Sequence, residues 1–219
     1  MNDFEREMVA EWGDHLDVRF YLAARLKRLH GKRVLDVGCG PGLLLSLLPA
    51  SNSKYGVDLS ASRLALARKR NPSAVLKRAS MYALPFPNGF FDVVVCANIL
   101  PGADFPVKGN QQKFQRKMLS EAARVLKKGG ILFLTTPNNV WYARWRRSGF
   151  TDYAKLEGVL KRHFRCEIKG WNPFPPYPRF LPSRALRKIP VWADFLGMLC
   201  EKGFYRRTSK FFYTEAVKQ

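Results

Sequence analysis

Arg33-Val34-Leu35-Asp36-Val37-Gly38-Cys39-Gly40-Pro41-Gly42, followed by the apolar run Leu43 to Leu48, is the stretch that decides the fold. A short apolar strand runs into glycines at every second position, and Pro49 closes the helix-forming run that follows. Glycines between a strand and a helix let the backbone approach a ligand at the helix start, where unpaired N–H groups gather. The spacing Gly38-x-Gly40-x-Gly42 differs from the G-x-G-x-x-G of dinucleotide binders. Asp36, at the end of the strand, sharpens the distinction. A carboxylate there would repel a pyrophosphate but attract the ammonium group of an amino-acid moiety. Methionine carries such a group, so the loop selects a sulfonium cofactor built on methionine over NAD.

The neighbouring elements extend this unit. Lys54-Tyr55-Gly56-Val57-Asp58 reads as a second strand, and its Asp58 comes 22 residues after Asp36, where a carboxylate can accept both hydroxyls of a ribose. Ser60 is placed to N-cap a helix over Ala61 to Arg70, and Ala74 to Lys77 reads as a third strand. Phe90 to Cys96 is the continuous, β-branched run of a central strand covered on both faces. A helix over Gln111 to Leu126 is expected to stop at the cationic, glycine-rich Lys127-Lys128-Gly129-Gly130, with a fifth strand over Ile131 to Thr135. Val9 to Leu29 reads as one or two helices, Thr151 to Arg162 as another, and His163 to Gly170 and Ser209 to Val217 as strands. Alternating strands and helices predict an α/β, doubly wound, mostly parallel sheet with a C-terminal antiparallel strand. A basic, aromatic and proline-rich insertion over 171–207 precedes that last strand. The expected organisation is one domain over 1–219, comprising a helical segment 1–30, a cofactor-binding core 31–138 and a basic C-terminal part 139–219.

Val34 to Gly42 resembles motif I of the class I S-adenosylmethionine-dependent methyltransferases, and Val57-Asp58-Leu59-Ser60 resembles the motif after it. Leu84-Pro85-Phe86-Pro87-Asn88-Gly89-Phe90-Phe91-Asp92-Val93-Val94 is similar to the strand-four signature of the methyltransferase type 11 group. Val125-Leu126-Lys127-Lys128-Gly129-Gly130-Ile131 is similar to that group's approach to strand five. The resemblance implies a Rossmann-like fold and an enzyme that uses S-adenosyl-L-methionine. It implies that Asp36 and the backbone of Gly38, Gly40 and Gly42 hold the methionine end, that Asp58 holds the ribose and that Leu59 packs on the adenine. The family usually places an Asp before the Leu-Pro-Phe motif, at the adenine amino group. Here Ser80 stands there, followed by Met81, which weakens one expected contact without removing an acceptor.

Composition bears on the partner. The 219 residues hold 38 Lys+Arg against 17 Asp+Glu, a formal net charge of +21. Residues 111–219 hold 23 basic and 7 acidic residues, a balance of +16. An excess on this scale works against compactness and points to a polyanionic partner. The four cysteines (Cys39, Cys96, Cys166 and Cys200) form no C-x-x-C pair, and no metal site is expected. Met1 to Asp17 is acidic and polar, unlike a signal peptide, and the apolar stretch Ile189 to Cys200 is too short to span a bilayer. The expectation is a soluble cytoplasmic protein.

Charge interleaved with aromatic residues favours RNA, with ribosomal or transfer RNA as the expected partner. Arg144, Trp145, Arg146, Arg147, Tyr177, Arg206 and Arg207 are the expected substrate contacts. After strand four the chain reads Cys96-Ala97-Asn98-Ile99-Leu100-Pro101-Gly102-Ala103-Asp104-Phe105. The side-chain oxygen of Asn98 could accept N–H groups of an exocyclic base amine such as cytidine N4. Asn98 is thus the expected catalytic residue, at the border of cofactor and acceptor, and Asp104 a weaker one. A competing reading is a membrane-surface methyltransferase acting on a lipid or quinone, carried by the basic, apolar Arg184 to Leu199. A third is a non-catalytic RNA-binding protein on a methyltransferase fold, against which the intact Asp36, glycine loop and Asp58 argue.

Overall fold

The computed structural model describes residues 22, 24–100, 108–137, 153–171 and 211–219. These residues build an eight-stranded sheet in the order β3-β2-β1-β4-β5-β8-β6, with β7 also paired to β8. Its strands are β1 (Arg33–Val37), β2 (Ser53–Asp58), β3 (Val75–Arg78), β4 (Phe91–Ala97), β5 (Leu126–Pro137), β6 (Phe164–Arg165), β7 (Lys169–Trp171) and β8 (Phe211–Lys218). The described helices are α1 (Leu43–Leu47), α2 (Ala61–Arg70), α3 (Gln111–Val125) and α4 (Tyr153–Leu160). Strands β1 to β5 are mutually parallel, and β8 runs antiparallel to β5, β6 and β7. The expected doubly wound, mostly parallel sheet with a C-terminal antiparallel strand is what forms.

Strand alternation divides the core into two layers. Val34, Val93, Val95 and Phe133 face the side where Leu43, Leu44 and Leu45 of α1 and Leu64 of α2 are buried. Leu35, Val94, Cys96, Leu132 and Leu134 face the other side, with Met118 and Leu119 of α3 and Leu156 and Leu160 of α4. Each central strand therefore carries apolar residues at both parities, the reason β4 reads as an unbroken apolar run. Helix starts follow local chemistry. Ser60 Oγ accepts the Arg63 N–H at α2, and Asn110 Oδ1 accepts the Lys113 N–H at α3.

Two expectations need correction. The helix α3 does end at Val125, as expected, but Lys127-Lys128-Gly129-Gly130 belongs to the strand that follows, because β5 begins at Leu126 rather than at Ile131. Phe91 pairs with Leu126 and Val93 with Ile131, so these four residues form a bulge opposite Asp92. The bulge is held on its polar side: Lys127 Nζ donates to Asp92 Oδ1, and the Arg33 N–H donates to Asp92 Oδ2 at 2.8 Å. The single strand expected over His163 to Gly170 is two short ones, β6 and β7, which keep one register against β8. Between them the Thr214 hydroxyl donates to the Glu167 carbonyl at 2.8 Å. Most of Val9 to Leu29, and all of the insertion from 172 to 207, lie outside the described residues.

Candidate active site

The chain leaves β1 for β2 and β3 on one side and returns to β4 on the other, so the carboxyl ends of β1 and β4 flank a crevice. Such a switch point is where open α/β sheets bind ligands. Register places Asp36 between Gly56 of β2 and Val95 of β4. Asp36 is buried, only 3% exposed. The neighbouring Cys96 thiol is pushed far up, first by burial and then by the negative charge of Asp36, so it stays protonated and is no nucleophile.

Beyond Asp36 the backbone turns sharply through the glycine loop. Gly38, Gly40 and Gly42 take φ values of 71°, 52° and 78°. A Cβ on Gly38 would stand 2.7 Å from Ile99 Cγ2, so a side chain there would collide with the wall of the crevice. The loop is tied to β2 through the Gly38 and Cys39 N–H groups, which both donate to the Val57 carbonyl. It is tied to α2 from the other end: Asn71 Nδ2 donates to the Gly42 carbonyl at 2.9 Å, and an Arg70 guanidinium nitrogen donates to the Pro41 carbonyl. Asn71 is a latch that the sequence reading missed, its only signal being a buried amide just past a helix end.

Asp58 joins these parts. Its Oδ2 accepts the Gly40 N–H at 2.9 Å and its Oδ1 accepts the Ser60 N–H at 2.8 Å. Each carboxylate oxygen has a further lone pair, which a pair of vicinal hydroxyls can fill. Leu59 next to it is 61% exposed, a free apolar surface at the edge of the site. Ser80 and Met81 behave differently. Ser80 Oγ accepts the Tyr82 N–H at 3.2 Å in its own turn, and Met81 packs against the core.

A pocket of about 130 Å³ is lined by Asp36, Gly38, Cys39, Gly40, Leu43 and Leu44 on one side and by Arg63, Ala97, Asn98 and Ile99 on the other. It thus gathers Asp36, two of the expected glycines and Asn98. Arg63, in the first turn of α2, brings a cation that the sequence reading did not single out. Its signal was its place five residues after Asp58.

Asn98 is unusual in two ways. Among the described residues it is the one non-glycine with positive φ, at 54°. That conformation costs about 1–2 kcal/mol, least for Asn and Asp. Its side chain is half satisfied: Oδ1 accepts the Thr135 hydroxyl at 3.0 Å, while Nδ2 is buried with no hydrogen-bond partner among the described residues. The Asn98 oxygen expected to accept is engaged once by β5 and keeps a second lone pair. Asp104, Arg144, Trp145, Arg146, Arg147, Tyr177, Arg206 and Arg207 lie outside the described residues.

Residues 35–134 match a family model described as a methyltransferase domain. A phthiotriol/phenolphthiotriol dimycocerosates methyltransferase of Mycobacterium leprae is 37% identical over 161 residues, which cover 68% of this chain and 53% of that protein. A ubiquinone biosynthesis O-methyltransferase of Thiobacillus denitrificans is 34% identical over 117 residues, covering 50% of this chain and 46% of that one. The chain spans about half the length of the curated relatives it matches. Among solved structures, an S-adenosylmethionine-dependent methyltransferase of Thermotoga maritima superposes with a TM-score of 0.63 at 18% identity, covering 99% of this chain and 98% of that one. That likeness carries the fold.

Proposed function

Residues 35–134 of this chain belong to the methyltransferase-domain family, and from that premise we propose that the protein is an S-adenosylmethionine-dependent methyltransferase acting on a small lipophilic acceptor of the quinone or lipid kind. The observation that carries the first half is a crevice lined by Asp36, Gly38 and Gly40, with Asp58 bonded to that loop through the Gly40 N–H. When bound, the cofactor supplies a methyl group on a positively charged sulfur, open to in-line displacement. The residues present fit it. Asp36 would hold the amino-acid ammonium, the remaining lone pairs of Asp58 the ribose hydroxyls and the exposed Leu59 the adenine face. Arg63 adds a positive charge for a carboxylate.

The acceptor class rests on two supports. Two of the similar proteins named above are called a ubiquinone biosynthesis O-methyltransferase and a phthiotriol/phenolphthiotriol dimycocerosates methyltransferase. A net charge of +21 suits an anionic membrane surface, where such acceptors reside. Among the described residues no helix is long and apolar enough to cross a membrane. A second reading, methylation of a base in structured RNA, is favoured by the same charge. The deciding experiment incubates the protein with methyl-tritiated S-adenosylmethionine and a total cell extract, then separates lipid, RNA and protein. Label in the lipid fraction supports the proposal, and label confined to RNA replaces it with the second reading. Incorporation that survives Asp36→Ala unchanged would sink both.

A further inference from the structure

We infer that the outer face of α2 and the adjoining edge of β3 form a docking surface for an anionic bilayer. The inference rests on the proposed lipophilic acceptor and names the face by which the protein meets the membrane that holds it.

Charge on this edge of the molecule is one-sided. Residues 59–78 hold six Lys and Arg (Arg63, Arg68, Lys69, Arg70, Lys77 and Arg78) and no Asp or Glu. In α2 the first turn carries no acidic residue and the last turn carries Arg68, Lys69 and Arg70. Cations in a last turn offset the helix dipole, but a helix tuned for stability also places acids in its first turn and opposite charges three or four residues apart. Helix α2 has neither. Like charges this close repel one another, and an anionic partner relieves that repulsion. Some of these cations have local work. Arg70, Lys77 and Arg78 donate to the carbonyls of Pro41, Pro85 and Leu59, and Arg63 lines the crevice. Arg68 and Lys69 are exposed and make no ion pair or side-chain hydrogen bond among the described residues.

Apolar side chains are exposed on the same edge. Ser62, Ala65, Leu66 and Lys69 follow one another around the outer side of α2, opposite the buried Leu64 and Ala67. Leu66 is 53% exposed, with Arg63 and Lys69 three residues to either side, and Val75, which opens the edge strand β3, is 45% exposed. With Leu59, given above to the adenine, these are the exposed large apolar side chains among the described residues. Aliphatic groups set among unopposed cations suit the headgroup layer of an anionic bilayer. RNA asks for a different surface, since it stacks bases on aromatic rings, and residues 59–78 contain no Phe, Tyr or Trp. The face also adjoins the cofactor crevice, because the N-cap of α2, Ser60, donates its N–H to Asp58.

Co-sedimentation with vesicles tests the location. Phosphatidylcholine vesicles with and without phosphatidylserine are offered to the wild-type protein, to Arg68→Gln/Lys69→Gln and to Arg162→Gln/Arg165→Gln. The second pair removes the same charge from exposed positions at β6, the opposite end of the sheet. A basic residue near an anionic surface strengthens binding about fivefold, so the α2 pair should weaken phosphatidylserine-dependent binding roughly twentyfold. The β6 pair should weaken it by less than about threefold. Equal losses in the two pairs, or full binding by the α2 pair, overturn the inference. So does a wild-type protein that ignores phosphatidylserine. Transfer RNA is titrated in parallel: an α2 pair that weakens RNA binding and spares vesicle binding assigns the face to RNA and overturns the inference too. Calorimetry of S-adenosylhomocysteine separates the two levels. Both pairs should bind it as the wild type does, and no binding by the wild type removes the methyltransferase reading itself, whatever the vesicles show.

Discussion

Gly38 and Gly89 share a left-handed backbone, with φ of 71° and 62°, but only Gly38 faces a neighbour that a side chain would strike. Alanine at either position should lower stability by about 1–2 kcal/mol through φ alone, read from denaturant midpoints. Only Gly38→Ala should also weaken S-adenosylhomocysteine binding, by roughly tenfold or more, because its Cβ displaces Ile99 in the wall of the crevice. Equal binding by the two variants would mean that the loop does not cradle the cofactor. At this scale the cofactor half of the site was legible, since Asp36, the glycines and Asp58 lie close along the chain and each answers a local demand of geometry or charge. Asn98 was legible as a position, but its bond to the Thr135 hydroxyl, 37 residues away on another strand, was not, because no spacing rule reports such a pairing.

Among the elements, the segment Leu84 to Phe90 shows what a family-like signature does physically. Arg124, one residue from the end of α3, donates to the Leu84 and Phe86 carbonyls at 2.9 and 2.8 Å and to Asn88 Oδ1 at 2.9 Å. Glu121 accepts the Leu84 N–H at 2.8 Å and pairs with Arg124 at 2.8 Å. The signature is a strap clamped to α3, which seats Phe86, Phe90 and Phe91 around Tyr55. Arg124→Ala should cost roughly 2 kcal/mol, measured by urea unfolding, because it strips several carbonyls of a charged donor. The clamp also predicts a pH dependence. The Arg124 guanidinium, against the opposing effect of burial and with help from the Leu84 N–H and Lys117, holds the Glu121 carboxyl below its ordinary 4.5. For Asp92 burial pushes upward, but the Lys127 ammonium and the Arg33 N–H prevail and hold it below 3.8. Carboxyls lowered in the folded state stabilise it above their unfolded values, and that stability is lost as pH falls through the folded ones. Stability should therefore decline below about pH 4.5. Glu121→Gln should be less stable at pH 7 yet show a shallower acid decline; an unchanged slope would remove Glu121 from the clamp. Helix and strand order was legible from apolar periodicity. The bulge at Lys127 to Gly130 was not, because a run of Lys and Gly after a helix reads locally as a stop, and only pairing with β4 makes it strand.

Over the whole molecule, the net charge of +21 is the property least explained by the cofactor site. If it serves an anionic bilayer, the protein should sediment with phosphatidylserine vesicles and not with phosphatidylcholine ones, and added salt should release it. Exposed charges further apart than a Debye length, about 8 Å at physiological ionic strength, are largely screened. Preference for structured RNA over such vesicles at equal salt would favour the RNA reading instead. Charge declares the sign of a partner from composition alone but not its kind, because phosphates of lipid and of RNA ask for the same cations. Whatever the partner, the crevice at β1 and β4 is proposed to take a methionine-derived sulfonium cofactor. Calorimetric titration of the wild-type protein and of Asp36→Asn with S-adenosylmethionine, with NAD as the control, tests it most directly. One-to-one binding of S-adenosylmethionine, a loss of roughly tenfold or more in Asp36→Asn, and no heat from NAD are expected. Binding of NAD, or S-adenosylmethionine affinity indifferent to Asp36, would contradict it.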